Sequence, residues 1–289
     1  VQVITTKDDF KAAMGAEKAQ RRSIGLVPTM GALHDGHISL VRQSRAACDL
    51  TAATIFVNPL QFGENEDFGV YPRTLESDLA KLERAGADVA FVPAVADIYP
   101  DGFETSLTNS ATSRVLCGAH RPGHFDGVLT VVLKLLNMSR CDRAFFGKKD
   151  YQQLTLIRRM ALDLDVPAEI VGCETVREET GLARSSRNAY LSADDRARAV
   201  KLSAALMAMR SRFDAGERDV SQLMLAAAPV TNDPAISLDY LEIRSPDLAT
   251  RFERSVEGPA VVLIAAKIGS TRLIDNMELG EPAEWVAAA

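Results

Sequence analysis

The sequence has no apolar run of membrane-spanning length: Val261–Ala266 is stopped by Lys267, where a bilayer helix needs about 18 apolar residues or more. Cysteine is sparse. Cys48, Cys117, Cys141 and Cys173 lie far apart, with neither the spacing of a zinc knuckle nor a redox pair, and read as reduced thiols of a cytoplasmic protein. A surplus of positive charge is also missing. The 33 Lys and Arg face 39 Asp and Glu, a formal net charge of −6, which argues against wholesale nucleic-acid binding, since that needs clustered cations. Charges enter within Val1–Phe10, too early for the apolar stretch of a secretory signal. Internal repeats and low-complexity tracts are absent apart from a short Ala-rich tail.

What is present is an ordinary globular composition, 47% hydrophobic and 25% charged over 289 residues. Such a length suggests two domains and a large core. The first half alternates between strand and helix patterns. Strands are expected at Ile24–Pro28, Leu50–Val57, Asp88–Pro93, Arg143–Phe146 and Pro167–Val171. Helices are expected from His37 to Ala47, from Thr74 as cap to Gly86 as stop, over Val128–Asn137 and over Tyr151–Asp163. Repeated βα units imply a parallel sheet with ligands beyond the carboxyl ends of its strands. After Cys173 the texture changes: a polar stretch, Glu174–Asn188, leads to a helix capped by Ser192, then a strand at Ser237–Ile243 and a hairpin of Val261–Ile268 with Thr271–Asn276. The fold class is therefore α/β, with a Rossmann-type parallel-sheet domain over 1–175 and a smaller α+β domain over 176–289.

Four stretches carry chemistry. In Met30-Gly31-Ala32-Leu33-His34-Asp35-Gly36-His37 a strand passes into a helix, so backbone N–H groups and two imidazoles stand at the helix's positive end, where a polyphosphate can bind. The bland alternative is a pair of surface histidines beside a turn. Ser185-Ser186-Arg187-Asn188 offers hydroxyls and a guanidinium to phosphate oxygens from a loop; alone it reads as a solvated turn. Gly147-Lys148-Lys149-Asp150-Tyr151-Gln152-Gln153 follows a strand. Asp150 and Gln153 have the spacing of a helix cap and its box partner, while Lys149 can neutralise phosphate. In Phe56-Val57-Asn58-Pro59-Leu60-Gln61-Phe62 Asn58-Pro59 forces a turn, and Gln61 offers an amide to a hydroxylated or carboxylated small molecule, or only to water.

The histidine motif after the first strand and the basic, serine-containing loop downstream together resemble the adenylate-forming Rossmann enzymes. With Tyr71-Pro72-Arg73-Thr74 and Arg121-Pro122-Gly123-His124-Phe125 added, the order of motifs over about 24–191 resembles the pantoate–β-alanine ligase (pantothenate synthetase) family. The resemblance implies a homodimer with a smaller C-terminal lid; a reactive adenylate must be kept from water, so Glu174–Asn188 is expected to move with the C-terminal domain and bring Arg187 onto the phosphates. It implies ATP as substrate with Mg²⁺, and a two-step reaction with (R)-pantoate and β-alanine through pantoyl adenylate. Carried over by residue, Met30–His37, Gly147, Lys148, Lys149, Asp150, Val176, Arg184, Ser185, Ser186 and Arg187 are to bind ATP. Gln61 and Gln153 are to hold pantoate, Gln61 also β-alanine, and His37 is to be the proton donor with His34 beside it. Because pyrophosphate is already a good leaving group, charge stabilisation by His34, His37, Lys149 and Arg187 is the role expected of them over acid catalysis. Leu60 stands where Thr is frequent, Asp35 where Glu is, and Arg184 where Met or Leu is. No dedicated metal cluster is expected; Mg²⁺ is to arrive on the triphosphate with Asp78 as a candidate outer contact. Rival readings are a related nucleotidyltransferase acting on a phosphorylated acceptor, a nucleotide-binding regulatory module without turnover, and a tRNA-charging enzyme. The acidic balance disfavours the last of these, and no nucleic-acid or membrane partner is expected.

Overall fold

The computed structural model of the chain describes residues 1–63 and 66–280. Its contacts group into two compact units, one built from Val1–Lys148 and Leu156–Glu174, the other from Lys149–Thr155 and the chain from Thr175 onward.

The first unit is a parallel sheet of six strands: β1 (Gln2–Ile4), β2 (Ile24–Val27), β3 (Leu50–Thr54), β4 (Val89–Phe91), β5 (Arg143–Gly147) and β6 (Glu169–Cys173), in the spatial order β1-β4-β3-β2-β5-β6. Every residue of β2, β3 and β4 is buried, as continuous apolar strands covered on both faces must be. Helices Asp35–Ala47, Leu75–Ala85 and His124–Ser139 serve as crossovers. Gly25 lets the first of these lie close to β2, because a Cβ there would overlap Ser44 Oγ; that hydroxyl is itself bonded to Thr51 Oγ1 at 2.9 Å.

The expected strands and helices are present with shifted ends. The helix expected from His37 starts at Asp35, and that expected over Val128–Asn137 runs His124–Ser139. Gly86 stops its helix with φ +86°, but Thr74 makes no side-chain cap there; its hydroxyl donates to Asp78 instead (3.1 Å). The pattern did not reveal β1 or the helix Lys7–Ala19. The strand is three residues long, and the helix buries only Phe10 and Met14, too few to mark a stripe.

Strand order reverses between β2 and β5: the chain moves from β2 outward to β3 and β4, then returns to add β5 on β2's other side. Such a switch point leaves a crevice at the carboxyl ends of the two strands. Met30–His37 leaves β2 at that point, and Gly147–Lys148 ends β5 beside it.

The second unit packs the helix Ala193–Asp214 on an antiparallel sheet of β7 (Ile236–Arg244), β8 (Ala260–Ile268) and β9 (Thr271–Leu279). Ser192 caps the helix as expected, accepting from the Asp195 N–H at 3.1 Å. The expected hairpin is β8–β9, with Ile268 opposite Thr271 across the turn.

Candidate active site

The loop after β2 is folded onto itself and onto its neighbours. Thr29 Oγ1 donates to the Thr54 carbonyl (2.6 Å) and accepts the Gly31 N–H (3.2 Å). Gly31 and Ala32 then both take positive φ, +83° and +50°, the second in a region that a residue with a Cβ seldom enters. This turn aims two successive N–H groups at one carboxylate: Ala32 N donates to Asp78 Oδ2 (2.9 Å) and Leu33 N to Asp78 Oδ1 (2.8 Å). Lys81 Nζ closes the clamp on the Leu33 carbonyl at 2.7 Å.

The two imidazoles cap the helix that follows. The His34 N–H donates to His37 Nδ1 (3.3 Å), the Gly36 N–H donates to His34 Nδ1 (3.2 Å), and the ring centroids are 4.1 Å apart. With each Nδ1 accepting, backbone has set both tautomers, with the proton of each neutral ring on Nε2.

This geometry alters one expectation. The N–H groups of Gly31, Ala32, Leu33, His34 and Gly36 are already bonded within the protein. Those five amides are therefore not left as a bare main-chain cradle, and the imidazoles and the helix dipole are what this stretch offers to an anion beside them. Asp78, expected as an outer contact for a metal, has a side chain only 1% exposed, with both oxygens turned onto loop donors; that use replaces the metal contact.

Gln61 is held from several sides. Asn58 shapes the turn Pro59–Gln61, and its Nδ2 donates to Gln61 Oε1 (3.1 Å) and to the Gly127 carbonyl (3.0 Å) while its Oδ1 accepts from Tyr99 OH (2.8 Å). Gln61 Nε2 lies 3.0 Å from Met30 Sδ, which joins the glutamine to the start of the histidine loop. The segment Arg121–Phe125 acquires a role here. His124 Nδ1 lies 2.8 Å from the Gln61 carbonyl, and Arg121 Nη1 lies 2.9 Å from His124 Nε2. Guanidinium can only donate, so Nε2 accepts and Nδ1–H donates to Gln61. Arg121 also pairs with Glu66 (2.6 and 2.5 Å). Burial pushes the Glu66 carboxyl up, but the hydrogen bond and charge of Arg121 outweigh it and hold the group below the usual range. Burial raises the Tyr99 phenol far above its ordinary value, so it stays a donor.

At the end of β5, Lys148 Nζ pairs with Glu174 (2.6 Å). The next residues belong to the second unit. Lys149 Nζ is 3.8 Å from Asp150 Oδ1, and the Lys149 carbonyl accepts from Asn276 Nδ2 at 2.8 Å. Gln153 is half-buried in the first turn of helix Tyr151–Asp163. The stretch 176–184 is a hairpin: Arg184 N donates to the Val176 carbonyl (2.9 Å), and Glu178 N to the Leu182 carbonyl (2.8 Å). Arg177 anchors it by a two-armed pair with Asp275 (2.6 and 2.9 Å). Asn188, buried, donates to the Ala183 carbonyl (3.0 Å). Ser185 Oγ accepts the Arg187 N–H (3.3 Å) and opens the short turn that carries Ser186 and Arg187. The polar stretch read as a loop is thus a hydrogen-bonded scaffold.

The first unit accordingly brings Met30–His37 together with Gln61, beside Gly147 and Lys148. The second carries Lys149, Asp150, Gln153, Val176 and Arg184–Arg187. The sequence reading missed the supporting roles of Asn58, Tyr99, Glu66, Lys81, Arg177, Asp275 and Asn276, and assigned Asp78 elsewhere. One signal was available: Asp78 shares a helical stripe with Leu75, Leu79 and Leu82, and an acid on an apolar stripe needs a buried partner.

The chain matches the family model described as pantoate-beta-alanine ligase over residues 2–278. It is 53% identical over 261 residues to the pantothenate synthetase of Acidobacterium capsulatum, covering 90% of this chain and 87% of that protein. Among solved structures, it is similar to pantothenate synthetase from Thermus thermophilus with a TM-score of 0.90 and 43% identity, over 96% of this chain and 99% of that one. It is also similar to pantoate-beta-alanine ligase from Francisella tularensis, complexed with beta-gamma ATP and beta-alanine, with a TM-score of 0.78 and 32% identity, over 96% and 97% of the two chains.

Proposed function

The chain belongs to the pantoate–β-alanine ligase family, and from that premise we propose that it condenses (R)-pantoate with β-alanine at the expense of ATP. A pantoate carboxylate oxygen attacks the α-phosphorus, the bond from that phosphorus to the β-phosphate bridge breaks, and pyrophosphate leaves. The β-alanine amine then attacks the acyl carbon of pantoyl adenylate, AMP departs, and the amine's proton passes to solvent.

The observation that carries this reading is the pair of imidazoles whose tautomers are set by backbone, at the switch point of a parallel sheet. An anionic nucleophile approaching a triphosphate needs donors placed where charge builds, and oriented donors cost no reorganisation during reaction. His34 and His37 supply Nε2–H groups, and Lys149 and Arg187 supply full positive charge. Met30–His37, Gly147–Asp150, Val176 and Arg184–Arg187 form the ATP-binding set. Gln61 and Gln153 hold pantoate, and Gln61 also meets β-alanine; the support for Gln61 is its anchoring by Asn58 and His124. The Mg²⁺ ion enters as part of the substrate MgATP. Among the described residues no three His, Cys, Asp or Glu side chains gather to hold an ion, and the Asp78 oxygens are engaged with the loop. The 174–188 segment acts as part of a lid that keeps the adenylate from water. The enzyme works as a cytoplasmic homodimer; cysteines that form no disulfide among the described residues agree with that compartment, and light scattering measures the assembly.

The test is release of pyrophosphate and AMP with ATP, (R)-pantoate and β-alanine, leaving out each in turn. Without β-alanine, one equivalent of pyrophosphate per site forms and turnover stops. Steady pyrophosphate production with a phosphorylated acceptor, and none with pantoate, would overturn the proposal in favour of a nucleotidyltransferase.

A further inference from the structure

Asp78 is a carboxylate with 0% residue exposure that sits directly beneath the loop assigned to a polyanion. Burying a charge is costly unless it is paired and fully hydrogen-bonded. Here it is: the N–H groups of Ala32 and Leu33 and the Thr74 hydroxyl all donate to it (2.9, 2.8 and 3.1 Å), and Lys81 Nζ lies 3.9 Å away. The two amides come from a left-handed turn, and consecutive amides in such a turn form an anion-binding concavity. A side chain of the protein already fills it. A Cβ on Gly31 would come within 3.1 Å of Asp78 Oδ2, so the carboxylate lies hard against the turn.

We propose that Asp78 is a positioning residue: it occupies the anion concavity at Gly31–Leu33, holds Ala32 at its positive φ, and thereby fixes the start of the helix where His34 and His37 present Nε2–H to the triphosphate. Phosphate is kept off the Ala32 and Leu33 amides and directed to the imidazoles. The inference rests on the reading of Met30–His37 as the ATP site.

The sign of one kinetic constant separates this role from a purely electrostatic one. A negative charge near the triphosphate opposes its binding, so neutralising Asp78 would by itself lower KM for ATP. If instead the carboxylate aligns the imidazoles, Asp78→Asn raises it. One amide oxygen remains to accept, but the NH2 group opposes the second backbone donor, and a small misplacement of reacting groups costs up to about 100-fold in rate. The expected result for Asp78→Asn is a KM for ATP raised about tenfold with kcat also reduced. Faster hydrogen–deuterium exchange in the peptide containing Ala32 and Leu33 is expected in the same variant. KM for ATP unchanged or lowered overturns the proposal, as does a fall in Tm with kinetics intact.

Thr74→Val serves if Asp78→Asn does not fold: it keeps the charge and removes one donor to it, and should shift KM for ATP the same way by a smaller factor. No shift in Thr74→Val then overturns the proposal. His37→Ala is measured in parallel. Unchanged ATP kinetics in His37→Ala refute the site itself, whereas an impaired His37→Ala beside an unaffected Asp78→Asn refutes only the role of Asp78.

Discussion

At the scale of single residues, the tautomers of the histidine pair lead to a graded substitution series. His37 receives the His34 N–H on Nδ1 and carries its own proton on Nε2. Alanine removes both functions, and loss of one preorganised donor typically costs about 10²–10³ in kcat. Glutamine extends its amide nitrogen to about where Nε2 lies, whereas asparagine reaches only the place of Nδ1. Pyrophosphate release should therefore fall least in His37→Gln and fall together in His37→Asn and His37→Ala; equal rates in Gln and Asn variants would refute the argument. Glu66 gives a prediction in pH. Its folded carboxyl titrates below the usual value because Arg121 outweighs burial, so its stabilisation is complete above the unfolded pKa of about 4.3 and is lost as pH falls through the depressed folded value. Glu66→Gln should lower the urea midpoint near neutral pH, and the gap from wild type should close in acid; a gap that widens below pH 4 would contradict the pairing. The sequence exposed His34, His37 and Lys149 because such side chains after strand ends are conspicuous, and Arg187 because it sits with two serines in a polar stretch. It could not expose Asn58 or Asp78 as supports, because their roles depend on distant backbone groups such as Gly127 O and Leu33 N.

Among elements, the parallel strands were legible because a strand covered on both faces is apolar without alternation, as β2 is, or is rich in β-branched residues, as the stretch Leu50–Val57 that holds β3 is. The terminal strand β1 was not, since three residues carry no pattern. Close approaches between elements are also invisible in a pattern of polar and apolar residues, and Gly127 is the sharpest case. On the helix His124–Ser139, a Cβ at Gly127 would overlap the Leu60 carbonyl, which belongs to the turn that carries Gln61. That obstacle is backbone, so the turn itself must move. Gly127→Ala should destabilise by about 1–3 kcal/mol, as overpacking does, and should raise KM for pantoate more than KM for ATP, because Gln61 shifts with the turn. Both constants follow from steady-state assays; a stable variant with unaltered KM for pantoate would show that the turn does not position Gln61.

For the whole molecule, a change of texture after Cys173 suggested where one folding unit gives way to another, but no local pattern could indicate that Lys149–Thr155 group with the C-terminal chain. That grouping depends on long-range contacts such as Asn276 Nδ2 on the Lys149 carbonyl, across 127 residues of sequence. Adjacent residues of β9 thus fasten two pieces of the proposed ATP-binding set: Asn276 holds the chain at Lys149, and Asp275 holds the hairpin of Val176 and Arg184 through Arg177. Asn276 is itself buried, so a loss of activity on truncation could reflect packing alone. Comparing two substitutions resolves this. Asn276→Ala removes the donor, costs about 1 kcal/mol as one hydrogen bond does, and should slow AMP release by up to about tenfold if Lys149 is displaced. Asn276→Asp preserves shape but sets a carboxylate oxygen against the Lys149 carbonyl, acceptor facing acceptor. If the bond positions Lys149, the aspartate variant should be slower than the alanine variant despite its better packing. If Asn276 only fills space, the order reverses, and the thermal midpoints of the two proteins will follow it.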